Sequence, residues 1–137
     1  MKIDRDIRMI HGIGIDFIDE RRIRPLLDTP SDSFFQKTYT EAERMQAEGS
    51  VEPIRYYAER FAAKEAVFKA LRISGDGVRL NEIETLNDDT GAPYVKLYGY
   101  LEQCRQKMGI SAIHISITRD PPYSLAYVIC ETNRDMT

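Results

Sequence analysis

The sequence lacks several features that would place it in a specialised class of protein. Its 137 residues include only two cysteines, Cys104 and Cys130, and neither has metal-type spacing around it. No segment approaches the run of about 20 apolar residues that a membrane-spanning helix needs. Basic and acidic residues nearly balance, at a net charge of -3, so the total charge does not indicate a nucleic-acid-binding protein. We therefore expect one soluble, unprocessed, cytoplasmic domain, residues 1–137, whose thiols are reduced and whose partners are neither nucleic acid nor membrane.

The periodicity of the apolar residues indicates an α+β domain. Residues 9–17 alternate as in a strand, and residues 54–71 after Pro53 form the strongest predicted helix, with Gly75 and Gly77 marking its exit. Further helices are predicted at residues 19–27, 31–37, 40–47 and 98–108, and the third of these opens with a Thr40–Glu43 capping box. Two strand hairpins are predicted at residues 82–97 and 112–131. The predicted fold class is a mainly antiparallel sheet packed on one long helix.

Two carboxylates stand out on these elements. Asp16 ends the first strand on a face that it shares with Gly12 and Gly14, where missing side chains allow a close approach. Glu65 lies on an apolar stripe of the long helix, and Lys69, four residues on, could pair with it. If Asp16 and Glu65 lie together next to a site that binds phosphate, they could hold Mg²⁺, because proteins commonly bind this ion with one or two carboxylates together with substrate phosphates. The alternatives are a turn or cap role for Asp16 and a purely structural Glu65–Lys69 ion pair.

The helical wheel also predicts which side of the long helix is exposed. Nearly its whole circumference is apolar, and only Arg60 and Lys64 form an obvious solvent-facing edge.

Six segments of the sequence form a pattern when they are taken together. In chain order they are Gly12-Ile13-Gly14-Ile15-Asp16, residues 37–43, Arg60-Phe61-Ala62-Ala63-Lys64-Glu65-Ala66, Lys69-Ala70-Leu71, Gly91-Ala92-Pro93 and Ser116-Ile117-Thr118. This pattern resembles a known family, the short-type 4'-phosphopantetheinyl transferases of the holo-acyl-carrier-protein synthase kind. The resemblance covers about residues 12–129.

The resemblance implies an enzyme that moves 4'-phosphopantetheine from coenzyme A to a serine of an apo acyl carrier protein and releases adenosine 3',5'-bisphosphate. The carrier could belong to fatty acid, polyketide or peptide synthesis. In this interpretation Asp16 and Glu65 hold Mg²⁺, Lys69 neutralises phosphate charge, and Glu65 takes the serine proton.

By the same resemblance, other residues bind substrates. Gly91, Pro93 and Ser116 are predicted to line the coenzyme pocket, and Lys64 to bind the substrate phosphates or to contact a neighbouring subunit. Arg119, which is not the family residue, is predicted to bind a coenzyme phosphate because of its own chemistry and its place at the end of a strand. The family also implies a homotrimer with sites between protomers. Arg21, Arg22 and Arg24 either dock an acidic carrier protein or form an ordinary solvated face.

The chain departs from the family pattern at two places. Arg119 stands where the family usually has histidine, and Arg72-Ile73-Ser74 stands where a glycine usually follows the Lys-Ala-Leu segment. Arginine cannot act as a base, but it can bind a phosphate with two hydrogen bonds. Two alternatives to an active enzyme therefore stay open: a degenerate homologue that binds coenzyme A or the carrier without transfer, and a structural interaction domain without ligand.

Overall fold

Two antiparallel sheets and one long helix form the framework of the described part of the chain. A computed structural model describes residues 6–28, 33–74 and 80–135. The strands are β1 (Asp6–Asp19), β2 (Ile83–Asn87), β3 (Pro93–Leu97), β4 (Ile110–Asp120) and β5 (Tyr123–Asp135). The helices are α1 (Arg24–Leu27), α2 (Ser33–Thr38), α3 (Glu41–Glu48), α4 (Pro53–Leu71) and α5 (Gly99–Met108). Short 3-10 turns at Glu20–Arg22 and Leu80–Glu82 precede α1 and β2.

The larger sheet has the order β1-β5-β4, and β2 and β3 form a separate hairpin. Asp16 on β1 lies opposite Ala126 on β5, and Ser116 on β4 lies opposite Tyr127. Ala126 is buried whereas Tyr127 is exposed. Because directly opposed residues share a face, Asp16 faces α4 and Ser116 faces away from it.

α4 is enclosed on two sides. Alanines at every fourth position, namely Ala58, Ala62, Ala66 and Ala70, are fully buried. The other side buries Arg60 and Lys64 against α3 and β2, with Arg60 stacked 4.2 Å from the centre of the Tyr56 ring. The prediction that Arg60 and Lys64 form a solvent-facing edge is therefore wrong.

The ends of α4 follow the usual rules only in part. Pro53 occupies the first helical turn, where its missing N–H is tolerated. The helix ends at Arg72, which takes a left-handed conformation at φ 60. Gly75 and Gly77, which the sequence indicates as the exit, lie outside the described residues.

The predicted α+β class is confirmed, with the sheet antiparallel throughout. The predicted Thr40–Glu43 capping box is present at the start of α3. The segment predicted as one helix over residues 19–27 is instead the 3-10 turn followed by α1. None of the helices in the described ranges is long and apolar enough to cross a membrane.

Candidate active site

The site begins with an unusually close contact between β1 and α4. A methyl group added at Gly14 would overlap the carbonyl of Ala66, and one added at Gly12 would overlap the carbonyl of Ala70. Only glycine allows the strand to lie this close to the helix backbone. The contact brings Asp16, next on the same face of β1, towards Glu65 on α4.

Three charged groups meet there. The Lys69 ammonium lies 3.0 Å from Asp16 Oδ1 and 3.0 Å from the Ile15 carbonyl oxygen. Burial raises the pKa of Glu65, the negative charge of Asp16 raises it further, and Lys69 opposes both effects. The alternative of a purely structural Glu65–Lys69 ion pair does not match this geometry, because the Lys69 ammonium pairs with Asp16 instead. Two carboxylates therefore share one half-exposed ammonium, and the cluster can still attract a cation.

The donor set fits a magnesium ion bound with a phosphate substrate. Carboxylate oxygens are the ligands that this hard ion prefers, and Mg²⁺ commonly uses one or two of them together with water and substrate phosphates. Within the described part of the chain, no group of three or more acidic, histidine or cysteine side chains is placed to enclose a metal. An ion at Asp16 and Glu65 would need further oxygens from outside the protein, which a diphosphate provides.

Lys64 lies elsewhere, although its neighbour Glu65 belongs to the site. Its side chain is 0 % exposed, and its ammonium lies 2.6 Å from Glu43 Oε1 and 3.0 Å from the Leu80 carbonyl, with a further bond to the Ile83 carbonyl. Burial lowers the pKa of Lys64, and the charge of Glu43 opposes that shift. The prediction that Lys64 binds substrate phosphates receives no support from this geometry, because its three donors are already used in the core.

The comparison with known proteins identifies the family. The family model described as the 4'-phosphopantetheinyl transferase superfamily matches residues 12–128. The chain belongs to this superfamily. The resemblance stated from the sequence is thereby confirmed.

Relatives of this transferase match nearly end to end. The holo-[acyl-carrier-protein] synthase of Syntrophus aciditrophicus is 37% identical over 93% of this chain and 100% of its own length. The enzyme of the same name from Paramagnetospirillum magneticum is 43% identical over 90% of this chain and 97% of its own. A solved holo-(acyl-carrier-protein) synthase from Bacillus anthracis, in complex with CoA (3',5'-ADP), is 35% identical with a TM-score of 0.73, over 90% of this chain and 98% of that one.

The remaining predicted coenzyme residues of this transferase do not join Asp16 and Glu65 within one chain. Gly91 lies in the exposed turn between β2 and β3 at φ 87, and Pro93 begins β3. Ser116 lies on the opposite face of the larger sheet from Asp16. Ser116 therefore does not face Asp16 across the sheet of its own chain.

Arg119 points to the α4 side of the sheet, opposite to Ser116. It donates through Nε and Nη2 to the two carboxylate oxygens of Glu20, and its Nη1 lies 3.8 Å from Glu52 Oε2. These bonds hold the pKa of Glu20 below its usual range. Neither Glu20 nor Glu52 stands out in the sequence, and the pairing spans 99 residues of chain, so no local pattern could have revealed it.

The three arginines predicted to dock the carrier protein are exposed on the 3-10 turn and α1. Arg21 binds Asp19, which caps the turn by accepting a bond from the Arg21 backbone. Arg22 and Arg24 are exposed on the same segment.

Proposed function

We propose that this chain is a holo-[acyl-carrier-protein] synthase that transfers 4'-phosphopantetheine from coenzyme A to a serine of an apo acyl carrier protein. The observation that carries the proposal is the meeting of Asp16, Glu65 and Lys69 between β1 and α4, at the positions of the family motifs. The end-to-end match to proteins of that name supports it.

The reaction requires little covalent chemistry from the protein. The serine oxygen bonds to the phosphorus that carries phosphopantetheine, the bond from that phosphorus to its bridging oxygen breaks, and adenosine 3',5'-bisphosphate leaves. Glu65 is the proposed acceptor of the serine proton, because burial and Asp16 make its carboxylate more basic than usual. Lys69 offsets charge on the diphosphate.

Asp16 and Glu65 are the proposed holders of Mg²⁺, which when bound supplies positive charge that polarises the diphosphate. The two carboxylates would otherwise repel the anionic substrate, since among the described residues Lys69 is the one cationic group found to act on both of them. Transfer is therefore proposed to depend on a divalent cation.

The proposal includes a homotrimer with sites between protomers. The face of β1 that points away from α4 is apolar and exposed, with Phe17 66% exposed, Ile13 54% and Ile15 53%. A contiguous apolar surface of this kind favours burial against another protein surface. Ser116 lies on the same side of the sheet, so a second protomer packed there could bring Ser116 to the carboxylates of its neighbour.

Carrier capture is proposed to use Arg21, Arg22 and Arg24. Carrier proteins are expected to be acidic around their serine, and three exposed guanidinium groups on one short segment would steer such a partner. We also propose that the enzyme acts in the cytoplasm, where free thiols such as those of both described cysteines persist. We further propose that the carrier protein serves fatty acid synthesis.

The deciding experiment is incubation with Mg²⁺, coenzyme A and a panel of apo carrier proteins, followed by intact mass measurement. A gain of one phosphopantetheine on a carrier, abolished by excess chelator and by Glu65→Gln, is expected. Gln106→Glu, an exposed change on α5, is the control and should leave transfer intact. Binding of coenzyme A without transfer to any carrier would instead identify a degenerate homologue.

A further inference from the structure

The 3-10 turn that carries the docking arginines is fixed to the end of the β4–β5 hairpin. The Glu20 backbone N–H donates to the Pro122 carbonyl over 2.8 Å. The Glu20 side chain, 9% exposed, accepts bonds from Arg119 and, at 3.4 Å, from the Ser124 hydroxyl. Arg21 and Arg22 follow directly in the chain, so Glu20 anchors the backbone from which both side chains extend, while the Arg21 guanidinium itself pairs with Asp19.

The Arg119 guanidinium is poorly placed to bind a coenzyme phosphate. Two of its nitrogens are engaged by Glu20, and the third points towards Glu52. A phosphate approaching it would meet two carboxylates, and like charges repel. The fork of Arg119 matches the Glu20 carboxylate with two parallel bonds, which fixes geometry as well as charge.

We propose that Arg119 is a positioning residue for capture of the carrier protein: through Glu20 it holds Arg21, Arg22 and Arg24 in the orientation that meets the acidic partner. This inference rests on the proposed function, and in particular on the docking role of those arginines. It gives the arginine at position 119 a role that depends on this chain's own Glu20 and not on the coenzyme.

The test separates the two substrates by steady-state kinetics with Arg119→Gln. The neutral amide leaves Glu20 a hydrogen-bond donor but removes the charged, two-bonded clamp. We expect kcat/KM for the carrier to fall by at least about threefold at low salt, because loosened charges slow association. The KM for coenzyme A and the kcat at saturating carrier should both stay within about twofold of the parent values, because a positioning residue contacts neither the coenzyme nor the reacting groups.

Matched variants give the result its meaning. Arg105→Gln breaks a comparable ion pair with Glu102 on α5. It should leave kcat/KM for the carrier and the KM for coenzyme A unchanged. Arg119→Lys keeps the charge but loses the fork, and should show a smaller loss in the same direction. If Arg119→Gln fails to fold in a thermal melt, the same division between carrier and coenzyme is measured in Arg119→Lys.

A double-variant cycle distinguishes failure of this inference from failure of the docking proposal. Arg22→Glu alone should reduce kcat/KM for the carrier, and adding Arg119→Gln should then cost less than it does in the parent. No effect of reversing Arg21, Arg22 and Arg24 together would overturn the docking role itself. A docking effect that is present, with Arg119→Gln raising the KM for coenzyme A or leaving carrier capture unchanged, would overturn the positioning role.

Discussion

Replacement of Lys64 by methionine is expected to destabilise the protein strongly without altering the chemistry of the site. Methionine keeps most of the volume but removes an ammonium that is fully buried and bound to Glu43 at 2.6 Å. The Leu80 and Ile83 carbonyls lose their donor in the same step. Breaking a buried ion pair by removing one partner costs about 3–5 kcal/mol.

The environment of Glu43 keeps the expected cost within that range. Its Oε1 still accepts from the Thr40 backbone at 2.9 Å, and its Oε2 from the Thr85 backbone at 2.8 Å. The carboxylate is therefore partly satisfied without the lysine. For a chain of this length each kcal/mol shifts Tm by roughly 3–4 °C, so a loss of about 3–5 kcal/mol in Lys64→Met should lower Tm by about 9–20 °C.

Urea unfolding and thermal melts measure the loss of stability in Lys64→Met. Lys107→Met, which makes the same change at an exposed lysine on α5, is the matched control, and its unfolding free energy should change by no more than about 0.5 kcal/mol. The coenzyme KM, measured below the melting transition, should be unchanged. A phosphate-binding role for Lys64 predicts the reverse: a raised KM with little loss of stability. A loss below about 1 kcal/mol would refute the buried pair.

Three further predictions concern the site, the core and the docking segment. Lys69→Ala should weaken coenzyme A binding measured by calorimetry, whereas a purely structural lysine would lower Tm with affinity intact. Phe61→Ala should cost about 1–3 kcal/mol in urea unfolding, below the range for a fully buried phenylalanine, because Phe61 is half-buried beside Phe34; a negligible loss would contradict that packing. Arg119 lowers the pKa of Glu20 from about 4.5, so the ionised carboxylate should stabilise the fold at neutral pH and lose that effect as the pH falls below this value. The difference in unfolding free energy between the parent and Glu20→Gln should therefore shrink on acidification. A difference that does not change with pH would argue against the Glu20–Arg119 pair.

The sequence was sufficient for most of the elements and for the family motifs, although residues 19–27 form a 3-10 turn and a short helix where one helix was predicted. Alternation placed Gly12, Gly14 and Asp16 on one face of β1, and the Thr40 capping box marked the start of α3. Both signals are local, since each depends on residues within a few positions of one another.

The errors came from contacts between distant parts of the chain. A wheel cannot tell that a polar edge of α4 is covered, because the partner of Lys64 lies on α3 and the carbonyls it binds lie just before and within β2. Arg119 and Ser116, both predicted to contact the coenzyme, lie on opposite faces of β4 because side chains alternate along a strand; the coenzyme contact of Arg119 itself stays a prediction.

A bulge in β1 gave a third difference. The pairing with β5 shifts between Ile10 and Gly12. Unbroken alternation would place His11 on the face of Ile13, but its side chain binds the Leu71 carbonyl of α4 at 2.8 Å. A bulge adds one residue to the strand and so changes the face of the sheet to which a side chain points. The alternation of residues 9–17 gives no sign of this bulge.

The meshing of β1 with α4 limits where the chain can change in length. Two residues of strand advance about 6.6 Å and four residues of helix about 6.0 Å, so Gly12 and Gly14 can meet Ala70 and Ala66 in step along antiparallel directions. Inserting one residue into the strand would turn Asp16 to the far face, and inserting one into the helix would rotate Glu65 by about 100°. Insertions and deletions in natural variants of this chain should therefore fall outside residues 12–16 and 65–70. The distance between the Asp16 and Glu65 carboxylates should then stay nearly constant among those variants.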